Sequence, residues 1–533
     1  MNYRQEYEKW LASPALSEDE RNELKAIAND EKEIENRFYG PLEFGTAGLR
    51  GTMYVGLHNM NRHVIRWATQ GFANVIRAEG EEAMKKGVAI CMDCRNHSME
   101  FARAAACVMA GNGITVKLFE SLRPTPELSF AVREYGCEAG INVTASHNPK
   151  EYNGYKAYWT DGSQVTAPHD RNIIAEVEKI TSIDQILTGA NPGNITLLGE
   201  EFDEIYLNKV HTLSLSPESV GKFHDMKIAY TPLHGAGVRL VPASLRKWGF
   251  TNVSLVEEQA VIDGNFPTVE SPNPEERKTM AKAIELGSRL GADLVLATDP
   301  DSDRIGVALR NAKGEYVLLN GNQTLSLIMA YQLTRWSELG RLDGKEFVVK
   351  TIVTSQMPNV MAAHFGVKCY DCLTGFKYIA RIIRNNEGKA TYIGGGEESF
   401  GYLAGDFVRD KDAVSACSLV AEAAAWTRDT MGLTLYEWLQ KLYVEFGFFR
   451  EGLVSVVRKG MEGAAEIQQM MVDYRADPPR EIAGSPVVKI NDFKLLESTD
   501  VRTGAKTPIE EEASNVLQWF AADGTVVSVR PSG

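Results

Sequence analysis

Three places in this chain set chemically useful side chains directly after an apolar run. In the first, Gly140-Ile141-Asn142-Val143 stops in Thr144-Ala145-Ser146-His147-Asn148-Pro149. A hydroxyl held at a rigid strand end can accept and pass on a chemical group, which singles out Ser146. Taken alone, Ser-His-Asn-Pro is ordinary turn composition. In the second, Gly291-Ala292-Asp293-Leu294-Val295-Leu296 runs into Ala297-Thr298-Asp299-Pro300-Asp301-Ser302-Asp303-Arg304. Carboxylates at alternate positions repel one another unless something compensates, and a hard cation can do so. Mg²⁺ takes oxygen ligands in tight octahedral geometry and leaves room for a phosphate oxygen or water. An EF-hand calcium loop is excluded, because Arg304 stands where Gly is required and Arg310 where Glu is required. Arg304 beside a metal suits a phosphate oxyanion.

The third place reads as a strand, Ala390-Thr391-Tyr392-Ile393, followed by a loop, Gly394-Gly395-Gly396-Glu397-Glu398-Ser399-Phe400-Gly401. Glycines would let the backbone approach a ligand closely. Glu397 and Ser399 can bond to vicinal hydroxyls.

The elements that must position these loops repeat. Strand-like segments at Thr115–Glu120, Asn252–Glu257 and Val367–Cys372 are each followed by a helix-like segment, at Thr125–Tyr135, Pro274–Leu290 and Gly375–Asn385. Each helix leads to the strand that carries a loop. One strand–helix–strand unit is used three times, a weak internal repeat. The carboxyl ends of strands in α/β sheets are where ligands bind, so three such domains could each contribute one loop to a shared cleft.

Together these stretches resemble the three signature loops of the α-D-phosphohexomutase superfamily, in the family's order and spacing over nearly the whole chain. Phe44-Gly45-Thr46-Ala47-Gly48-Leu49-Arg50-Gly51, Tyr230-Thr231-Pro232-Leu233-His234-Gly235, Thr374-Gly375-Phe376-Lys377 and Arg530-Pro531-Ser532-Gly533 match as well. The resemblance implies an α/β protein of four domains with its active site in a central cleft: three similar mixed α/β domains and a C-terminal α+β domain. Residues 1–205 would carry the serine loop, 206–318 the metal loop, 319–445 the sugar loop and 446–533 a phosphate-binding loop.

It also implies roles. Ser146 resembles the phosphoserine, and Asp299, Asp301 and Asp303 the Mg²⁺ ligands, with the phosphoserine as fourth ligand. Arg50 and Lys156 resemble the basic residues beside the transferring phosphoryl group, Lys156 as candidate acid/base. His147 shapes the serine loop within the catalytic set rather than acting as its base. Glu397, Ser399, Arg304, Lys350, Lys377, Arg530 and Ser532 resemble substrate-binding positions. The implied reaction interconverts glucose 1-phosphate and glucose 6-phosphate through glucose 1,6-bisphosphate, with mannose and pentose phosphates as alternative substrates. The chain departs from the family pattern in stopping at Gly533, inside the last loop, so its fourth domain is expected to be cut short.

The remaining sequence fits a large enzyme. A length of 533 residues suggests three or four domains. Net charge of −14 argues against nucleic acid or an anionic membrane as partner, so cationic recognition must be local. No apolar run reaches membrane-spanning length and the start is charged, so a cytoplasmic monomer or homodimer acting on a small sugar phosphate is expected. The seven cysteines provide no disulfide framework. Cys91/Cys94 and Cys369/Cys372 have zinc-like spacing, but residues three apart on a strand face opposite ways, and zinc is not expected. Asp93 and Arg95 read as a structural pair at a strand end. Asp263-Gly264-Asn265-Phe266-Pro267-Thr268 and Pro272-Asn273-Pro274-Glu275 resemble a broader branch of the family that also holds pentose and mannose mutases. Two other classes of function are conceivable, a Ser146-His147 hydrolase and a catalytically silent sugar-phosphate binder. Adjacent residues rarely face each other as a dyad must, and the intact aspartates weigh against silence.

Overall fold

Buried apolar runs alternating with amphipathic helices give parallel sheets covered on both faces. The computed structural model describes residues 2–42, 48–189, 192–458 and 460–531. They divide into two compact units, one of residues 1–350, 356–370 and 375–448, the other of residues 351–355, 371–374 and 449–533.

The first sheet contains β1 (Gly48–Thr52), β2 (Val88–Met92), β3 (Val116–Phe119), β4 (Ala139–Val143), β5 (Tyr152–Trp159) and β6 (Ile195–Leu198) in the order β1-β5-β4-β2-β3-β6. The second contains β7 (Ile228–Thr231), β8 (Val253–Leu255), β9 (Leu294–Thr298), β10 (Ile305–Arg310) and β11 (Tyr316–Leu318) in the order β11-β10-β9-β7-β8. The third contains β12 (Glu346–Thr351), β13 (Lys368–Cys372), β14 (Thr391–Glu397) and β15 (Gly401–Ala404) in the order β13-β12-β14-β15.

The repeat expected from pattern is therefore a repeat of topology. β5-β4-β2-β3, β10-β9-β7-β8 and β15-β14-β12-β13 are one arrangement used three times. In each, the strand that leads into a functional loop (β4, β9 or β14) is parallel to one neighbour and antiparallel to the strand that follows it. β4 and β9 are buried along their whole length. Their carboxyl ends open directly into the loops that carry Ser146 and Asp299.

Two expectations are corrected. Gly394–Gly396 are not loop; β14 continues through them to Glu397, and only Glu398–Phe400 form the turn to β15. The glycines are required by crowding inside the sheet. A Cβ on Gly395 would lie 2.1 Å from the Val349 carbonyl oxygen, and one on Gly396 2.2 Å from that of Gly401. The helix read from Pro274 begins only at Ala281. Asn273 Oδ1 accepts the Glu275 N–H at 3.2 Å, a local turn that competes with helix and frees Glu275 to reach Arg304. The other two helices run Thr125–Glu134 and Phe376–Asn386, close to expectation.

The second unit carries an antiparallel sheet of β16 (Glu481–Ile482), β17 (Ser485–Asp492), β18 (Glu497–Asp500), β19 (Lys506–Pro508), β20 (Leu517–Ala521) and β21 (Val526–Val529). The helix Gly460–Ala476 buries Met471 with Val487, Leu517 and Trp519. Among the described residues no helix is long and apolar enough to cross a membrane.

Overpacking a sheet interior costs roughly 1–3 kcal/mol. Gly395→Ala should lower stability by that much in denaturant unfolding, and a parental midpoint would contradict the crowding described for β14.

Candidate active site

Ser146 follows β4 with a left-handed backbone, φ 52°, and is buried. Its Oγ donates to Asp299 Oδ2 at 2.9 Å and lies 3.2 Å from His147 Nδ1. The serine loop therefore abuts the aspartate loop directly.

Asp299, Asp301 and Asp303 follow β9. They are buried, and one oxygen from each lies within 4.8 Å of the others. Asp299 Oδ1 accepts the N–H groups of Asp303 at 3.1 Å and Arg304 at 3.0 Å. Asp301 Oδ2 accepts from Lys156 Nζ at 3.0 Å and from Thr125 Oγ1 at 2.9 Å. Asp303 Oδ2 lies 3.1 Å from Lys411 Nζ. Asp301 Oδ1 and Asp303 Oδ1 are buried without a hydrogen-bond partner. Two orphaned hard oxygens in a three-carboxylate cluster fit a divalent cation such as Mg²⁺.

The electrostatics carry the same signature. Burial, then Asp301 and Asp303, push the Asp299 carboxyl well above the usual range. Burial also acts to raise Asp301, but Lys156 and hydrogen bonds outweigh it and hold that carboxyl low. Burial and Asp301 raise Asp303 despite Lys411 and Lys156. The trio is short of positive charge.

The aspartate loop is also held by its backbone. The Asp301 carbonyl accepts the Thr125 N–H at 2.8 Å, that of Pro300 the Ala236 N–H at 2.8 Å, and that of Ser302 the Ala413 N–H at 3.2 Å. Beyond the loop, the Ile305 N–H donates to the Phe400 carbonyl at 3.0 Å. All three topological copies thus grip this one loop. Gly235 permits the approach; a Cβ there would sit 2.5 Å from Pro300 Cα.

Several expected residues converge here. Lys156 lies on β5, and Arg50 on β1 reaches Asn148 Oδ1 at 3.4 Å. Arg304 is paired with Glu275 at 2.5 Å. Glu397, at the end of β14, is buried and accepts the Gly375 N–H at 2.8 Å. Its carboxyl is raised by burial, against the pull of Lys411. Ser399 lies in the turn after it. Lys350 is wholly buried on β12, opposite Gly396. Lys377 stands on the helix Phe376–Asn386 with its ammonium 5.2 Å from the Tyr378 ring centroid. Arg530 belongs to the second unit and is exposed beyond β21. Ser532 lies outside the described residues, as do Phe44–Ala47 of the early motif.

Lys411 was missed by sequence reasoning. It lies in Arg409-Asp410-Lys411-Asp412, a run whose composition reads as solvated surface but which is buried throughout. Its ammonium sits between Asp303 and Asp410, at 3.1 and 3.2 Å. Burial would lower its pKa, but Asp303, Asp410 and Glu397 raise it, so it stays charged. Its stem passes over Gly401, where a Cβ would lie 2.1 Å from Lys411 Cδ. Asp410 accepts from Tyr158 Oη at 2.8 Å and Gln164 Nε2 at 2.9 Å. Four consecutive charged residues flanked by apolar sequence were the available signal, because buried charges come paired. Thr125, the hydroxyl donor to Asp301, carried no signal.

Comparison with known proteins gives the chain's relatives. Models of the phosphoglucomutase/phosphomannomutase family match residues 41–184 (alpha/beta/alpha domain I), 204–314 (domain II) and 320–446 (domain III). A phosphoglucomutase of Staphylococcus aureus strain N315 is 35% identical over 516 residues, 96% of this chain and 91% of that relative. The fold resembles that of a phosphoglucomutase/phosphomannomutase family protein from Burkholderia thailandensis, with TM-score 0.63, 18% identity and coverage of 91% of this chain and 92% of that one. It also resembles Paramecium parafusin, a phosphoglucomutase, in its open form, with TM-score 0.64, 17% identity and coverage of 93% and 88%.

Burial, then Arg304 and Arg50, depress His147 from 6.5 to about 2. A group depressed in the folded state binds its proton more readily when unfolded, so it costs stability as pH falls below about 6.5. One such proton is worth at most about 2 kcal/mol between pH 6.5 and pH 5. Denaturant unfolding at the two pH values should show His147→Gln losing less stability than the parent, and equal losses would contradict the assignment.

Proposed function

Because the chain belongs to the phosphoglucomutase/phosphomannomutase family of the α-D-phosphohexomutases, we propose that it interconverts glucose 1-phosphate and glucose 6-phosphate, with Ser146 giving and taking back the phosphoryl group. The enzyme is a mutase, an intramolecular phosphotransferase of the isomerase class. The observation that carries the residue-level reading is the 2.9 Å bond from Ser146 Oγ to Asp299, one member of a buried carboxylate trio suited to a divalent cation.

Phosphoryl transfer demands positioning and charge neutralisation more than covalent chemistry. Ser146, once phosphorylated, donates to the free hydroxyl of the hexose monophosphate. The glucose 1,6-bisphosphate so formed reorients, and its other phosphate returns to Ser146. Lys156 is assigned the acid/base position beside the attacking hydroxyl. Arg50 and Arg304 face the equatorial oxygens. Glu397 and Ser399 hold the sugar hydroxyls. Asp299, Asp301 and Asp303 would hold Mg²⁺, which supplies charge neutralisation at the transferring phosphoryl group. Lys411 pairs with Asp303 Oδ2 and fixes its position.

Glucose phosphate is the proposed substrate because Gly396-Glu397-Glu398-Ser399-Phe400-Gly401 resembles the glucose-preferring branch; relative turnover of the glucose, mannose and pentose 1-phosphates tests the choice.

Ser146→Ala should lose on the order of 10³-fold or more in turnover at saturating glucose 1,6-bisphosphate while its melting temperature stays near the parent's. Conversion of glucose 1-phosphate followed by phosphorus NMR reads this, and an alanine variant that equilibrates the isomers at the parental rate would sink the proposal. Chelation should likewise arrest turnover and added Mg²⁺ restore it.

A further inference from the structure

Ser146 sits in the left-handed region, which costs a residue with a side chain about 1 kcal/mol or more and persists only where surroundings enforce it. Its backbone is held from both sides by one closed set of bonds. The Ser146 N–H donates to Thr144 Oγ1 at 2.8 Å. With that oxygen accepting, the hydroxyl hydrogen goes to Asp93 Oδ2 at 2.7 Å. Asp93 Oδ1 accepts from Ser98 Oγ at 2.7 Å and from the Arg95 N–H at 2.9 Å. Arg95 then closes the ring, as its Nη2 donates to the Ser146 carbonyl at 2.6 Å and to that of Asn148. Its Nη1 donates to the carbonyls of Pro149 at 2.8 Å and Tyr152 at 3.0 Å, and Nε lies 3.3 Å from Asp93.

Those four bonds use both Nη groups, while Nε is buried beside Asp93 as an ion pair without a hydrogen bond. Both Nη groups of Arg95 are thus committed to loop carbonyls. Asp93, Arg95, Thr144 and Ser146 are all buried, so water does not compete for these bonds.

The segment Asp263–Thr268, read from sequence as a sugar-branch marker, covers this ring. The Phe266 ring centroid lies 5.2 Å from the Arg95 guanidinium carbon. Asn96 Nδ2 donates to Asn265 Oδ1 at 3.0 Å, and a Cβ on Gly264 would meet the Asn96 nitrogen at 2.4 Å. Just beyond it, Ser271 Oγ donates to the His147 carbonyl at 3.3 Å. The segment thus braces the serine loop.

We propose that Arg95 and Thr144 are positioning residues for phosphoryl transfer: through the ring they form with Asp93 they impose the left-handed backbone that aims Ser146 Oγ at the aspartate cluster, and the segment Asp263–Ser271 braces that ring. The inference rests on Ser146 being the phosphoryl carrier.

The test compares Thr144→Val, Thr144→Ser and Arg95→Lys with Ser146→Ala. Four quantities are read: kcat and KM for glucose 1-phosphate, Mg²⁺ affinity by calorimetry, and the rate at which the intact mass gains one phosphoryl group from glucose 1,6-bisphosphate. A small misplacement of a reacting group costs up to about 10²-fold, so Thr144→Val and Arg95→Lys should lose roughly 10- to 100-fold in kcat and in phosphoryl uptake while KM and Mg²⁺ affinity stay within about twofold. Thr144→Ser, which keeps the hydroxyl, should recover most of the loss. Parental kcat in Thr144→Val, or a loss in which KM and Mg²⁺ affinity move in step with kcat, overturns the proposal. If Arg95→Lys does not fold, the Thr144 pair decides. An active Ser146→Ala overturns this inference and the function together, whereas an inactive Ser146→Ala beside a fully active Thr144→Val overturns this inference alone.

Discussion

Three carboxylates buried within 4.8 Å of one another cannot all remain ionised unless positive charge or hydrogen-bond donors surround them. Much of the first unit is arranged to meet that demand. Lys156 comes from β5, Thr125 from the start of a helix, Lys411 from the segment after β15, and Ser146 from the end of β4. Breaking a buried pair by removing one partner typically costs several kcal/mol. These contacts therefore do two jobs: they hold the acids in place before a cation arrives, and they fix the topological copies against one another.

The backbone adds a second level of restraint. The carbonyls of Asp301, Pro300 and Ser302 accept N–H groups from three separate parts of the chain. Side-chain charge and main-chain bonding thus fix the aspartate loop independently. A cation site built this way is pre-organised, and phosphoryl transfer gains its rate from that kind of preparation.

Much of this was legible in the sequence. The apolar runs of β4 and β9, their abrupt polar ends, and the threefold strand–helix–strand pattern located Ser146 and the aspartates. Local composition misled at Gly394–Gly396, where glycine serves close packing within a strand and turn chemistry is not involved. Arg409–Asp412 drew no reading at all, because charge density says exposure unless the partners are known, and here those partners lie far away in sequence at Asp303, Tyr158 and Gln164. Asp93 and Arg95 were recognised as a pair, but Arg95's carbonyl targets at Ser146 and Tyr152 could not be guessed, because no side-chain pattern encodes which backbone oxygens a folded loop turns inward.

β5 carries a last consequence. Lys156 and Tyr158 are two apart on one strand and so share a face; the first reaches Asp301 and the second Asp410. The strand works as a ruler with marks at every second residue. A one-residue slip of β5 against β4 would swing both tips to the opposite side of the sheet at once. The register of β5 on β4 therefore ties the Ser146 loop to Lys156 in steps of two.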